Sequence, residues 1–199
     1  MDDIPQRAYV HTHGPSAWLA SIVSREEGPI VQASFEEAST VVHTVQHGQL
    51  TGRQGLNQSL EAFHRLIGDI RTSTNIDRLI LITDFSGFNG QRFATTPWTS
   101  SRGASVRNEQ GMSSLIAEVL AKSLINVGKD VVCIRCDHKG HPELMPTIKG
   151  ALLATKETLR TMQNPDIPDL DGWLAVCLDS DGVHSGDLKP ALLMNHTGS

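Results

Sequence analysis

Residues 17–37 read AWLASIVSREEGPIVQASFEE, and the direction in which their two apolar arms run decides the fold. The arms flank REEGP, a charged turn that holds Gly28 and Pro29. Two β-rich runs around such a turn predict a hairpin, with antiparallel strands. Just before it, AYVHTH (8–13) has the form of a short strand, and STVVHTV (39–45) supplies another just after. Three strands in close succession predict a meander.

Downstream, the pattern changes period. Leu60, Phe63, Ile67 and Ile70 recur on one helical face, which predicts a helix over 57–71 with Asn57 as its N-cap. RLILITD (78–84) is a nearly continuous apolar run ending in an acid, the form of a strand buried on both faces. Residues 85–108 are rich in Gly, Ser, Thr, Asn and Arg and read as a long excursion. A second helix is predicted over 112–127, with Leu115, Ile116, Val119, Leu120, Leu124 and Ile125 as its apolar residues and Gly128 as its stop. VVCIRC (131–136) is a further buried strand, and 143–162 a third helix interrupted or started by Pro146. NPDIPDLD (164–171) is a Pro/Asp linker, and GWLAVCLD (172–179) a final strand or packed extension. The order β-β-β-α-β-α-β-α predicts an α/β fold: a mixed sheet of about five strands flanked by helices. One domain over 1–163 and an extension over 164–199 follow.

Composition bounds the function. A chain of 199 residues with 39% apolar content is long enough to bury a core. Cys133, Cys136 and Cys177 are too few, and odd in number, for a disulfide framework, and point to a reducing compartment. No apolar run has the length of a membrane span, and MDDIPQR lacks the form of a signal peptide. The expectation is a cytoplasmic or nuclear protein that is not secreted and meets no membrane. The formal net charge of −5 disfavours a protein whose main task is gripping phosphate backbones.

The element order and four local motifs resemble type-one ribonuclease H, nearest its fungal branch. AWLASIVSREEGPIVQASF resembles that family's second and third strands, and LILITD its segment ending in a catalytic aspartate. PWTSSRGASVRN (97–108) resembles its Trp-then-basic stretch, and HKGHPE (138–143) its histidine loop. The resemblance covers residues 8–155. It implies a ribonuclease H-like fold in which two Mg²⁺ or Mn²⁺ ions, held by a carboxylate cluster, clamp a phosphodiester. Asp84 becomes the principal metal ligand and Glu61 a second. The helical wheel sets Glu61 nearly opposite the apolar stripe and favours Ser59 for the family's helix position. His13 stands where the family keeps its first-strand aspartate, and no acid follows HPE before Glu157. His138 or His141 would assist product release. Trp98, Arg102, Arg107 and Asn108 would contact an RNA–DNA hybrid or a double-stranded RNA, with Lys122 and Lys129 nearby. With so few carboxylates, the expectation is a degenerate domain, leaning away from catalysis, that binds nucleic acid weakly or a protein partner. The alternative is an active ribonuclease H.

Other constellations carry less. Cys133, Cys136, His138 and His141 are zinc-ligand types, but Cys133 and Cys136 should point to opposite faces of a strand. His11 and His13 share a face of a strand and have metal-ligand spacing, and His43 and His47 sit in a loop or short strand. LDSDGVHSGD (178–187) resembles the aspartate–serine loop of von Willebrand A domains, which gives a second alternative, a protein-interaction domain.

Overall fold

The structure, a computed structural model, describes residues 6–11, 30–45, 53–84, 88–89, 105–106, 109–136, 141–161, 172–179 and 182–184. Its elements are β1 (Gln6–His11), β2 (Ile30–Gln32), β3 (Thr40–Thr44), α1 (Arg53–Thr72), β4 (Arg78–Asp84), β5 (Phe88–Asn89), β6 (Ser105–Val106), α2 (Glu109–Ile125), β7 (Asp130–Cys136), α3 (Leu144–Leu153), α4 (Lys156–Thr161), β8 (Trp173–Asp179) and β9 (Gly182–His184). The main sheet has seven strands in the order β2-β1-β3-β4-β7-β8-β9. Every pairing from β2 through to β8 is parallel, and only β9 runs against its neighbour. β5 and β6 form a separate antiparallel ribbon.

The parallel pairing overturns the meander expected of the first strands, and the hairpin expected over 17–37 is described only in its second arm. Its described part, β2, runs alongside β1 with Gln6 level with Ile30. The rest of that stretch, 17–29, lies outside the described residues. The physical reason is length: the chain between β1 and β2 is long enough for a crossover, whereas a hairpin needs only a tight turn. β3 then pairs with the other side of β1, again in parallel. The meander that suggested a ribonuclease H fold is absent from the described sheet. What stands is an α/β fold whose sheet is flanked by helices on both faces.

Alternation along the strands divides the core. Val42, Ile80, Ile82, Val132, Ile134, Leu174 and Val176 face α3 and α4, meeting Leu144, Ile148, Ala151 and Leu159. Val41, Leu79, Leu81, Val131, Cys133 and Trp173 face α1 and α2, meeting Phe63, Ile67, Ile70, Ala117, Ala121 and Leu124. Strands covered on both faces read as continuous apolar runs, which is why RLILITD and VVCIRC were legible. Burying each such Leu, Ile or Val contributes about 1.5–3 kcal/mol.

Local chemistry sets the helix ends. Gly128 takes φ 77°, and Lys129 N–H donates to Leu124 O at 3.1 Å, closing the end of α2 as a Schellman motif. Pro146 sits in the first turn of α3, where a missing N–H does no harm. The helix expected over 143–162 is broken where Ala154 turns extended, and Thr155 Oγ1 caps α4 by accepting from Thr158 N–H at 3.0 Å. No helix of the described residues is long and apolar enough to cross a membrane.

Candidate functional site at the carboxyl edge of the sheet

In an open parallel sheet, ligands bind outside the carboxyl ends of the strands, at the point where the strand order reverses. Here the chain steps from β1 to β2 on one side and returns to β3 on the other. The reversal therefore falls between β1 and β3. The strand ends are staggered at this point. The described part of β1 reaches His11, level with His43 and Leu81, and β3 ends at Thr44, level with Ile82. β4 runs on to Asp84, level with Cys136 of β7. At about 3.3 Å per residue, β4 runs roughly 7 Å past the end of β3 and walls one side of the step.

Two described side chains line this end of β3. His43 is 3% exposed and lies flat on Phe63 of α1, ring centroids 4.7 Å apart and planes 25° from parallel. Thr44 points to the other face, that of Val42 and Ile82. It is 4% exposed, and its Oγ1 has no hydrogen-bond partner among the described residues. The helices α1, α2 and α3 each follow a strand's carboxyl end, so their N-termini share this edge. The first turn of α1 begins at Arg53 and carries no acid. The start of α3 is closed by His141, whose Nδ1 accepts from Glu143 N–H at 3.1 Å and whose carbonyl accepts from Leu144 N–H at 3.0 Å.

Beneath the edge, between the sheet and α2, lies a buried charge network. Arg135 of β7 donates to Glu118 of α2 through Nε (3.0 Å, to Oε1) and an NH2 group (2.9 Å, to Oε2). Thr83 and Cys133 also donate to Glu118 Oε1, at 3.1 and 3.2 Å. Glu118 is 0% and Arg135 1% exposed. Burial alone would lower the Arg135 pKa, but the Glu118 charge and hydrogen bonds outweigh it and hold the guanidinium ionised. Burial, reinforced by the Glu118 charge, pushes the Cys133 thiol well above its ordinary range. A thiol held protonated in this way is a poor nucleophile and metal ligand.

This network went unread in the sequence. The residues expected to bury α2 were its aliphatic ones, yet Val119 is 47% exposed, while Ser113, Ser114, Ala117 and Glu118 face inward. A signal existed: an arginine inside VVCIRC needs a buried acid, and the middle of α2 offers only Glu118.

The residues singled out earlier are not drawn together. Glu61 lies on the solvent face of α1 and pairs loosely with Arg65 at 4.0 Å. Asp84 closes β4 at the edge. Cys133 and Cys136 sit in different core clusters on opposite faces of the sheet. His13, His138, Trp98, Arg102, Arg107 and Asn108 lie outside the described residues. Among the described residues, no three His, Cys, Asp or Glu side chains gather as a metal site.

A doubly wound sheet raises the question of a dinucleotide. The fingerprint for one is G-x-G-x-x-G directly after the first strand. After β1 this chain reads THGPS, and no two of its glycines are separated by a single residue. The strand order also reverses between β1 and β3 rather than at the dinucleotide fold's own switch. The chain does not fit a dinucleotide held in that way.

No protein-family model matches the chain. No curated protein matches it. Among solved structures, UDP-N-acetylglucosamine 4-epimerase from Bacillus cereus is similar in fold, with a TM-score of 0.51 over 96% of this chain and 83% of that one. Sequence identity is 12%, so the likeness is one of fold. It corrects the ribonuclease H resemblance with its readings as a hybrid nuclease or a degenerate nucleic-acid-binding domain, and the separate von Willebrand A-like alternative read from 178–187. The misleading signal was a strand, turn and helix order that the two architectures share when strand direction is ignored.

Proposed function

We propose that this chain binds a phosphate-bearing small molecule of the nucleotide class across the carboxyl edge of its sheet. One observation carries the reading: an open, doubly wound parallel sheet whose order reverses between β1 and β3, where β3 ends short of β4. The N-terminus of α1, which follows β3, supports an anionic group at that point, having Arg53 and no acid in its first turn. The fold neighbour's name, that of an enzyme acting on a UDP-sugar, agrees with the ligand class.

The test is thermal melting with UDP, ADP, inorganic phosphate and glucose, each at millimolar concentration. A ligand present at a hundred times its Kd stabilises the fold by about 2.7 kcal/mol. For a chain of this size that raises Tm by roughly 5–10 °C. The reading predicts such a rise with UDP or ADP and none with glucose. An unchanged Tm with both nucleotides would refute it.

A further inference from the structure

We infer that this chain docks a second copy of itself on the outer face of α2, the two helices running antiparallel. The inference is independent of the reading of the carboxyl edge. α1 and α2 lie on the same face of the sheet, yet their outer surfaces differ. α1 exposes Glu61, His64, Arg65, Asp69 and Arg71, as a solvated helix does. α2 turns Ser113, Ser114, Ala117 and Glu118 inward and leaves large apolar residues outside. Met112 is 37% and Val119 47% exposed. Leu115 and Ile116 between them are half-buried and stand outside both core clusters of the described residues. At spacings of 3, 1 and 3 these four share one side of the helix. A helix that is apolar on both faces is covered on both.

The order of the residues says what covers it. The charges of α2 are Glu109, Glu118 and Lys122, and Glu118 is taken by Arg135. Let a second α2 run antiparallel to the first, with Leu115 of each level with Ile116 of the other. Met112 then stands level with Val119, so every level of the stripe is apolar on both sides. The same register brings Lys122 level with Glu109 at each end, opposite charge to opposite charge. A stripe that matches its own reverse is what a twofold contact between identical chains requires. From 109 to 122 the seam runs roughly 20 Å at 1.5 Å per residue. One helix face of that length supplies less than the total of about 1,200–2,000 Å² that stable interfaces bury, so the dimer is weak, with a Kd on the order of 100 µM.

The experiment is sedimentation equilibrium of the full chain from about 5 to about 500 µM, a range that brackets that Kd. It compares wild type, Val119→Glu, Met112→Lys and an equal mixture of the two variants, with a melt of each protein at the lowest concentration. Wild type should pass from monomer to dimer across the range. Each variant alone puts an unpaired charge at both ends of the seam and should raise Kd by at least about tenfold. Both should melt within about 2 °C of wild type, since both sites face solvent. The mixture should recover much of the dimer, because the new acid and the new base then stand level at one end while the other end is native. A wild type that stays monomeric throughout overturns the inference. A dimer that Val119→Glu leaves unchanged also overturns it, since the contact then lies elsewhere. Loss of the dimer in both variants with no recovery in the mixture overturns the antiparallel register.

Discussion

Two ion pairs join β4, β7 and the helices beside them, one at each end of the sheet. They are built very differently. Toward the carboxyl edge, Glu118 and Arg135 meet in a two-point grip at 2.9–3.0 Å, with Thr83 and Cys133 completing the acceptor. At the amino edge, Arg78 and Asp130 stand level on adjacent strands, 3.7 Å apart, and Asp130 Oδ2 and Arg78 Nε have no hydrogen-bond partners among the described residues. Arg78 spends its NH1 group instead on the carbonyls of Ala151 (2.9 Å) and Ala154 (2.7 Å), closing the C-terminus of α3. Burial lowers the Arg78 pKa and raises that of Asp130, each against the pull of its partner. A buried pair is secure only when every polar atom is satisfied. By that measure the carboxyl-side network is a rigid floor beneath the carboxyl edge, and the amino-side pair is a helix clamp with a spare acid.

The comparison breaks most sharply at Glu118. Glu118→Ala strands a fully buried guanidinium and should cost about 3–5 kcal/mol by urea unfolding. A loss below 1 kcal/mol would mean the network is not the floor described. Arg78→Met should cost about 2–3 kcal/mol, since two charged hydrogen bonds to α3 are lost while Asp130 stays desolvated. The loss should be accompanied by faster amide exchange in the last turn of α3, the signature of an opened clamp.

Alkaline pH sharpens the contrast. The Cys133 pKa is raised in the folded state above the ordinary 9.0, so the folded state holds a proton that the unfolded chain gives up. Its contribution is complete below pH 9 and is lost as pH rises from there toward the folded pKa, at up to about 1.4 kcal/mol per pH unit. Cys133→Ser should flatten the stability curve above pH 9 relative to wild type, read from unfolding midpoints across pH 8–10. An unchanged slope would place the thiol outside the network.

The smallest effect belongs to Asp130. Its pKa is also raised, so its contribution is complete below the unfolded value of 3.8 and is lost as pH rises through the folded one. Asp130→Asn should therefore compare more favourably with wild type at pH 7 than at pH 3.5, with a change at pH 7 within about 1 kcal/mol. A large loss at pH 7 would show that the clamp needs the acid's charge.

Much of this fold was legible, and the failures have one source. β4 and β7 were found within a residue or so because strands covered on both faces are continuous apolar runs, while β8 was left between a strand and a packed extension. The stripe placed the body of α1, though it begins at Arg53, a turn before the cap expected at Asn57, and Gly128, whose positive φ needs glycine, placed the stop of α2. Strand direction was not legible. Apolar arms around REEGP carry the same pattern whether they pair with each other or with a strand elsewhere, and that single choice turned a parallel sheet into a meander. The inward face of α2 was lost for a related reason. Helical periodicity ranks leucine and valine above serine and glutamate, and it cannot know that Arg135 waits on the sheet. Of the edge, Asp84 was read, but as a metal ligand of another fold, and Thr44 was not read at all, since an unsatisfied hydroxyl exists only in three dimensions.

The central claim is that ligand binds at the carboxyl edge where the strand order reverses. Backbone amide shift mapping during a UDP titration tests it most directly. The account predicts that the perturbed amides gather at His11, Thr44, Val45, Arg53 and Asp84, and that Asp77, Asp130 and Ala154 at the opposite edge stay still. Perturbations confined to the amino edge, or none at millimolar UDP, would contradict it.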